Sequence, residues 1–142
     1  RAGDPIDQAL EGVTVAAATF TADPDLMRPL YRFLLGVEDI VNRPKFMGRA
    51  LAYWVKRLTP LAEAGLLPKH ISLLEFARDY QIFFAGALDL WVQSELDDRE
   101  FEAQIRHGGI LRLLALGHEP STKKLIPKLT AAGKIVKKAA SK

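Results

Sequence analysis

Between Ser72 and Leu116 the chain carries more apolar surface than one face of two helices can present. Ser72 followed by Glu75 has the spacing of a capping box, in which each side chain meets the other's backbone N–H. A helix is expected from Ser72 to Glu95. At 100° per residue, Leu73, Phe76, Ala77, Tyr80, Phe84, Ala87, Leu88 and Trp91 form the centre of its apolar arc. Phe83 and Leu90 widen one flank, and Leu74, Ala85 and Val92 the other. Only a strip around Glu75, Arg78, Asp79 and Asp89 is polar, and Ile82 interrupts it. A surface helix needs an apolar stripe of about 100°. The wider arc predicts burial from two sides, one by the domain's own core and one by a second copy of the chain.

The next helix, Asp98 to Leu116, repeats the pattern. Asp97 and Glu100 have capping spacing. Ile110, Leu111, Leu113, Leu114, Ala115 and Leu116 surround its end, with Arg112 as the one charge. A helix apolar all round is buried all round. With little chain left to cover it, a partner subunit is expected, and two such helices from each protomer would make a two-fold four-helix bundle. Gly86 interrupts the first helix and Gly108-Gly109 the second. Each weakens a helix, so either close packing or a kink is expected, the pair leaving both open.

The remaining punctuation is also helical. Asp4-Pro5 and Asp23-Pro24 place a capping carboxylate before a proline at the first helical position. Helices are expected from there to about Phe20 and to Gly36, with Pro29 delaying or kinking the second. A third, from Arg43-Pro44 to about Ala64, stops at Gly65 and Pro68, and Pro60 kinks its last turns. Its apolar face holds Met47, Ala50, Leu51, Trp54, Val55, Leu58, Leu61 and Ala62. No strand alternation, hairpin dipeptide or fixed-length repeat is present. The expected fold is all-α, a bundle of five or six helices.

The 142 residues suffice for one domain with a real core. With no cysteine, disulfides, thiolate metal sites and cysteine nucleophiles are excluded. No apolar run approaches the roughly 20 residues that span a bilayer. Arg1 to Phe20 shows neither a hydrophobic block nor an obvious cleavage site, so no signal peptide is expected. The start at Arg1, with no initiator Met, fits a processed chain or a piece of a longer one. The net charge of +3 is unevenly placed, −4 over residues 1–100 and +7 over residues 101–142. The mildly acidic bulk argues against a nucleic-acid surface there.

Catalytic patterns are missing. His70, His107 and His118 include no i, i+4 pair. Asp97-Asp98 is read as a helix start rather than an acid/base pair. No Gly-rich phosphate loop or nucleophile elbow occurs. No enzyme, cofactor or metal is expected.

Trp54, Phe76, Tyr80, Phe83, Phe84 and Trp91 come from two helices that can face each other. Plain core packing accounts for them. The functional reading is an apolar pocket with a few polar tips, from Tyr80 and Trp54 and from Gln81 and Arg57 nearby. The last segment, residues 119–142, mixes Leu125, Ile126, Leu129, Ile135 and Val136 with seven lysines. Ser121 is its expected cap, and Pro127 and Gly133 are expected to break it. A weakly helical or disordered tail is expected, and a basic amphipath contacting membranes or acidic partners is the alternative.

The run RDYQIFFAGALDLWVQSELDD with its Leu-rich following helix resembles the C-terminal regulatory domain of TetR-family transcriptional repressors. The stretches ADPDLMRPLYRFLL and LAEAGLLP add to that likeness, which covers roughly Asp4 to Gly117. The resemblance implies a cytoplasmic regulator with a sensor domain over residues 1–118. It implies a small, mostly hydrophobic effector and a homodimer. The effector pocket would be lined by Leu30, Phe33, Met47, Leu51, Trp54, Leu58, Phe76, Tyr80 and Phe83. The dimer interface would include Phe84, Leu88, Trp91, Ile105, Gly108, Leu111 and Leu114. The family's helix-turn-helix head has no counterpart here. Operator DNA would be met only through a head outside this chain, joined through the helix Asp4 to Phe20.

Overall fold

Local capping chemistry sets where the helices begin. Asp4 accepts from the Ile6 N–H at 2.8 Å, and Pro5 opens α1 (Pro5–Thr21). Asp23 stands before Pro24, the first residue of α2 (Pro24–Gly36). Ser72 and Glu75 close their capping box at 3.1 and 2.7 Å ahead of α4 (Leu73–Val92). Asp97 and Glu100 do the same at 2.8 and 3.0 Å ahead of α5 (Asp98–Leu114). Between these lies α3 (Asn42–Glu63), and α6 (Glu119–Ala140) ends the chain. The computed structural model describes residues 3–36 and 41–142. Arg1, where the expected sensor domain opens, and residues 37–40 within it lie outside the described residues. Among the described residues all regular structure is helical, and no helix is long and apolar enough to cross a membrane.

Helix ends follow backbone geometry. Gly65, at φ +69°, ends α3 while the Leu66 N–H reaches the Leu61 carbonyl. That six-to-one bond is the Schellman stop for which glycine is suited. α4 stops in the same way at Val92, three residues before the expected Glu95. The Glu95 N–H bonds the Leu90 carbonyl, and the left-handed position is taken by Ser94 at φ 63°. No glycine marks this end, so the sequence carried no sign of it. α2 and α3 continue through Pro29 and Pro60.

α1 lies at the middle of the bundle. Its face of Ile6, Ala9, Leu10, Gly12, Val13, Ala16 and Ala17 is buried against α3 and α5. Small side chains permit this close approach. The Tyr53 hydroxyl donates to the Gly12 carbonyl at 2.6 Å, and a Cβ on Gly12 would stand 3.0 Å from the Arg57 side chain. α3 and α4 pack together, α4 also meets α5, and α2 crosses α4 and the end of α1. No side chain of α2 is fully buried. The helix is tethered by arginines instead. Arg32 reaches the Val92 carbonyl, and Arg28 reaches the Leu96 carbonyl at 3.4 Å and Asp98 at 3.2 Å, lying 4.9 Å from the Trp91 ring centre. Cations at the carbonyl end of α4 also suit the helix dipole.

The breadth of the α4 arc has an internal explanation. Phe84, Leu88 and Trp91, assigned above to a second copy, are buried within the protomer. Trp91 stacks on Phe101 with ring centres 5.3 Å apart and donates to Asp98 at 2.8 Å. Ile105 and Leu113 of α5 are likewise internal. A further side of α5 is covered by α6, where a frayed tail was expected. α6 is one 22-residue helix along α5 that starts at Glu119, ahead of the expected cap Ser121. Neither Pro127 nor Gly133 breaks it. Pro127 sits on the exposed side, and Gly133 lies against His107, at 3.5 Å from a Cβ built there. Leu125, Ala132 and Ser121 are buried. Weak intrinsic helicity is overridden because α5 supplies the apolar surface that an isolated helix lacks.

The two glycine sites of the closing helices differ. α5 runs unbroken through Gly108-Gly109 because the pair is a contact surface. The Phe83 ring occupies the place of a Gly108 Cβ, and one on Gly109 would stand 2.8 Å from Val13 Cγ1. The Gly109 carbonyl accepts from the Tyr80 hydroxyl at 2.8 Å. At Gly86 the expected packing gain is missing, since nothing lies within 4 Å of its Cβ position.

Candidate ligand-binding cleft

Side chains from α1 to α4 leave a partly open cleft of about 350 Å³. α1 contributes its last turns, with Ala16, Thr19 and Phe20. α2 roofs it with Tyr31 and Leu35, one turn apart. α3 presents Phe46, Met47, Arg49, Ala50, Tyr53 and Trp54. α4 supplies Gln81, Phe84, Ala85 and Leu88 as the floor. The aromatic walls brace one another, with ring centres 4.7 Å apart for Phe20–Tyr31, 5.2 Å for Tyr31–Phe46 and 5.7 Å for Trp54–Phe84. Phe20 and Tyr31 meet edge to face, an arrangement that aromatic pairs favour.

Polar groups in the lining are few. The Tyr53 hydroxyl is committed to Gly12. Burial pushes the Tyr53 and Tyr31 hydroxyls above the ordinary tyrosine range, so both stay protonated. Arg49 stands exposed at the rim. Gln81 is 5% exposed and donates from Nε2 to the Met47 carbonyl at 2.8 Å. Its Oε1 is buried and has no hydrogen-bond partner among the described residues. Among the described residues no His, Asp or Glu lines the cleft, so it offers mainly apolar contact, with the Gln81 amide, the Tyr31 hydroxyl, the Trp54 indole and Arg49 as polar groups.

Of the nine expected effector residues, Met47 and Trp54 line this cleft. Leu30 and Phe33, at 42% and 61% exposed, point away from it. The inward residues of α2 are Tyr31 and Leu35, one and two positions on, because the helix is rotated so that Arg28 and Arg32 reach the end of α4. Leu58, Phe76 and Tyr80 belong to the filled core, and Leu51 packs against it. The Tyr80 hydroxyl is used on Gly109, and burial raises it far above its usual range. Phe83 belongs to the α4–α5 contact, with Arg112 4.2 Å over its ring. Of the expected polar tips, Gln81 and Trp54 are in place, whereas Arg57 covers the Tyr53 ring.

Phe20, Tyr31, Leu35, Phe46 and Tyr53 were missed. The spacing Phe46, Ala50, Tyr53 was visible as an edge of the α3 stripe, but nothing local shows that α1 and α2 meet that edge. Phe84 and Leu88 were assigned to the dimer interface, and they stand instead at the cleft floor. Of the other expected interface residues, Trp91 and Ile105 are buried in the core, Gly108 underlies Phe83, Leu114 is half-buried, and Leu111 is 46% exposed. A second recess of about 330 Å³ lies between α1, α5 and α6, edged by Arg99, Glu102 and Arg106.

Comparison of the chain with family models, with curated proteins and with solved structures returned no match.

Proposed function

We propose that this domain is the sensor of a TetR-like transcriptional regulator and binds a small, mostly apolar effector in the cleft between α1 and α4. The observation that carries this reading is a cleft of about 350 Å³ walled by six aromatic rings, those of Phe20, Tyr31, Phe46, Tyr53, Trp54 and Phe84. Ligand sites of this size are typically apolar with a few placed polar groups. The position of the cleft suits a switch. Its walls include the end of α1, the helix that the resemblance joins to a DNA-binding head. Its roof is α2, the helix with no fully buried side chain. An effector that touches both stabilises one placement of α1 over another, and only such differential binding shifts a conformational equilibrium.

The dimer implied by the resemblance is part of the same proposal. It has to use side chains that the protomer leaves uncovered. These are Leu74 at 60%, Ile82 at 64% and Leu90 at 39% on α4, and Leu111 at 46% on α5. The alternative, a basic tail on membranes or acidic partners, retains its lysines and the exposed Ile126, while Leu125 and Ala132 are turned into the bundle.

Native mass spectrometry of the purified protein, with tryptophan fluorescence, tests the sensor reading. A co-purified or added apolar compound is expected to change the emission of Trp54, which lines the cleft. Ala50→Phe, which places a ring inside it, is expected to abolish the response. An undiminished response in that variant would put the ligand elsewhere.

A further inference from the structure

Resting on the cleft being a ligand site, we propose that its ligand is a neutral molecule of about two rings that carries one hydrogen-bond donor, a hydroxyl, which Gln81 Oε1 accepts. Gln81 stands near the middle of α4, in the floor of a mostly apolar space. The two ends of that amide are not equivalent. Nε2 is anchored to the Met47 carbonyl at 2.8 Å. A flipped amide would set one carbonyl oxygen against another, so the bond to Met47 assigns the orientation. Gln81 lines the cleft, and its Oε1 is thereby left buried and without a partner among the described residues. Buried acceptors are rarely left unsatisfied, and the exceptions gather where a ligand or water completes them.

Three features of the lining narrow the class. An acceptor repels a carboxylate or phosphate oxygen, so the group at Gln81 is a donor. Among the described residues no Asp or Glu lines the cleft, so none of them would supply a counter-charge to a buried cationic amine. A neutral hydroxyl satisfies the oxygen without either penalty. Size sets the rest. An apolar cavity of about 150 Å³ holds a benzene, and this cleft has about 350 Å³. The floor at Phe84, Ala85 and Leu88 and the wall at Phe46 and Trp54 give the rings of such a ligand flat apolar partners.

The test compares three probes, 2-naphthol, 2-methoxynaphthalene and naphthalene, by isothermal titration calorimetry against the full chain. Naphthalene is the most apolar, so a cleft acting through apolar contact alone binds it best. The expected result is the reverse, with 2-naphthol bound about tenfold more tightly than either compound lacking the O–H. Gln81→Met, similar in volume but without the acceptor, is expected to bring the three within about twofold. Its folding is checked by circular dichroism. The wild-type comparison stands by itself if that variant does not fold. Naphthalene binding as tightly as 2-naphthol to the wild-type chain overturns the donor rule and leaves the cleft as an apolar site. A preference that survives in folded Gln81→Met also overturns it. If none of the probes binds, the cleft reading falls and this inference with it.

Discussion

The Phe83 ring of α4 fills the space that a side chain on Gly108 of α5 would occupy. Arg112 then covers the same ring and pairs with Asp79 at 2.6 Å, so the two helices are held by a hole, a plug and a lid. The glycine that weakens the helix is what lets the helices approach.

The two glycine sites should respond to alanine with opposite signs. Gly108→Ala forces Phe83 to move, and overpacking of this kind costs about 1–3 kcal/mol. Gly86→Ala meets open space within a helix and should stabilise by about 0.5–1 kcal/mol. Urea denaturation of both variants reads the difference, and equal signs would contradict the packing described.

Ser94 holds the left-handed position that ends α4. A residue with a Cβ is strained there and glycine is not. Ser94→Gly should therefore raise stability by about 0.5–1 kcal/mol, visible as a higher urea midpoint with an unchanged m-value.

Trp91 and Leu111 separate folding from association. Trp91 is fully buried between Phe20, Phe101 and Arg28. Trp91→Ala should cost about 3–5 kcal/mol, and Trp91→Asp should unfold the protomer. Leu111 is exposed, so Leu111→Asp should leave the melting curve nearly unchanged. Sedimentation then reads the dimer alone. A folded Leu111→Asp that sediments like the wild type at micromolar concentration would remove Leu111 from any interface.

Acid should loosen the join between α1 and α6. Lys124 lies 2.7 Å from Asp4 and 2.9 Å from Asp7. The hydrogen bond from Lys124, ahead of the bond from the Ile6 N–H, holds the Asp4 carboxyl below its ordinary 3.8. The unfolded chain therefore takes up this proton first as pH falls. The contribution is present above pH 3.8 and is lost as pH drops through the lower folded value. The pair is largely exposed, so it is worth only about 0.5 kcal/mol after screening. Asp4→Asn, which keeps a capping side chain, should melt below the wild type at pH 6 and together with it once the pH has fallen below the lowered folded value.

Legibility followed the range of each interaction. The capping pairs at Ser72–Glu75 and Asp97–Glu100 lie three residues apart in the chain, and the helices begin where those pairs stand. Stops marked by glycine, such as Gly65, were equally visible, whereas the stop at Ser94 used the same backbone geometry without the residue that advertises it. The apolar excess of α4 and α5 was real, but its cover could not be read locally. Seven lysines, Pro127 and Gly133 argued for a loose end, and only the surface of α5 makes that segment one helix.

The cleft shows the same division. Aromatic residues at helical spacing on α3 and α4 were in the sequence, and so was the polar amide of Gln81. Which side of each helix turns inward was not. Leu30 and Phe33 lie about 100° or more around α2 from Tyr31 and Leu35, and which side turns inward is set by Arg28 and Arg32 reaching the end of α4 some sixty to seventy positions later. The sequence alone determined five helices' worth of amphipathic pattern and most of their ends, because those depend on neighbours within one turn. The tertiary structure alone decided which part of each apolar arc fills the core, which lines a cleft and which stays exposed. Hydrophobic burial is non-directional, so an apolar stripe states that it must be covered and leaves to packing the question of by what.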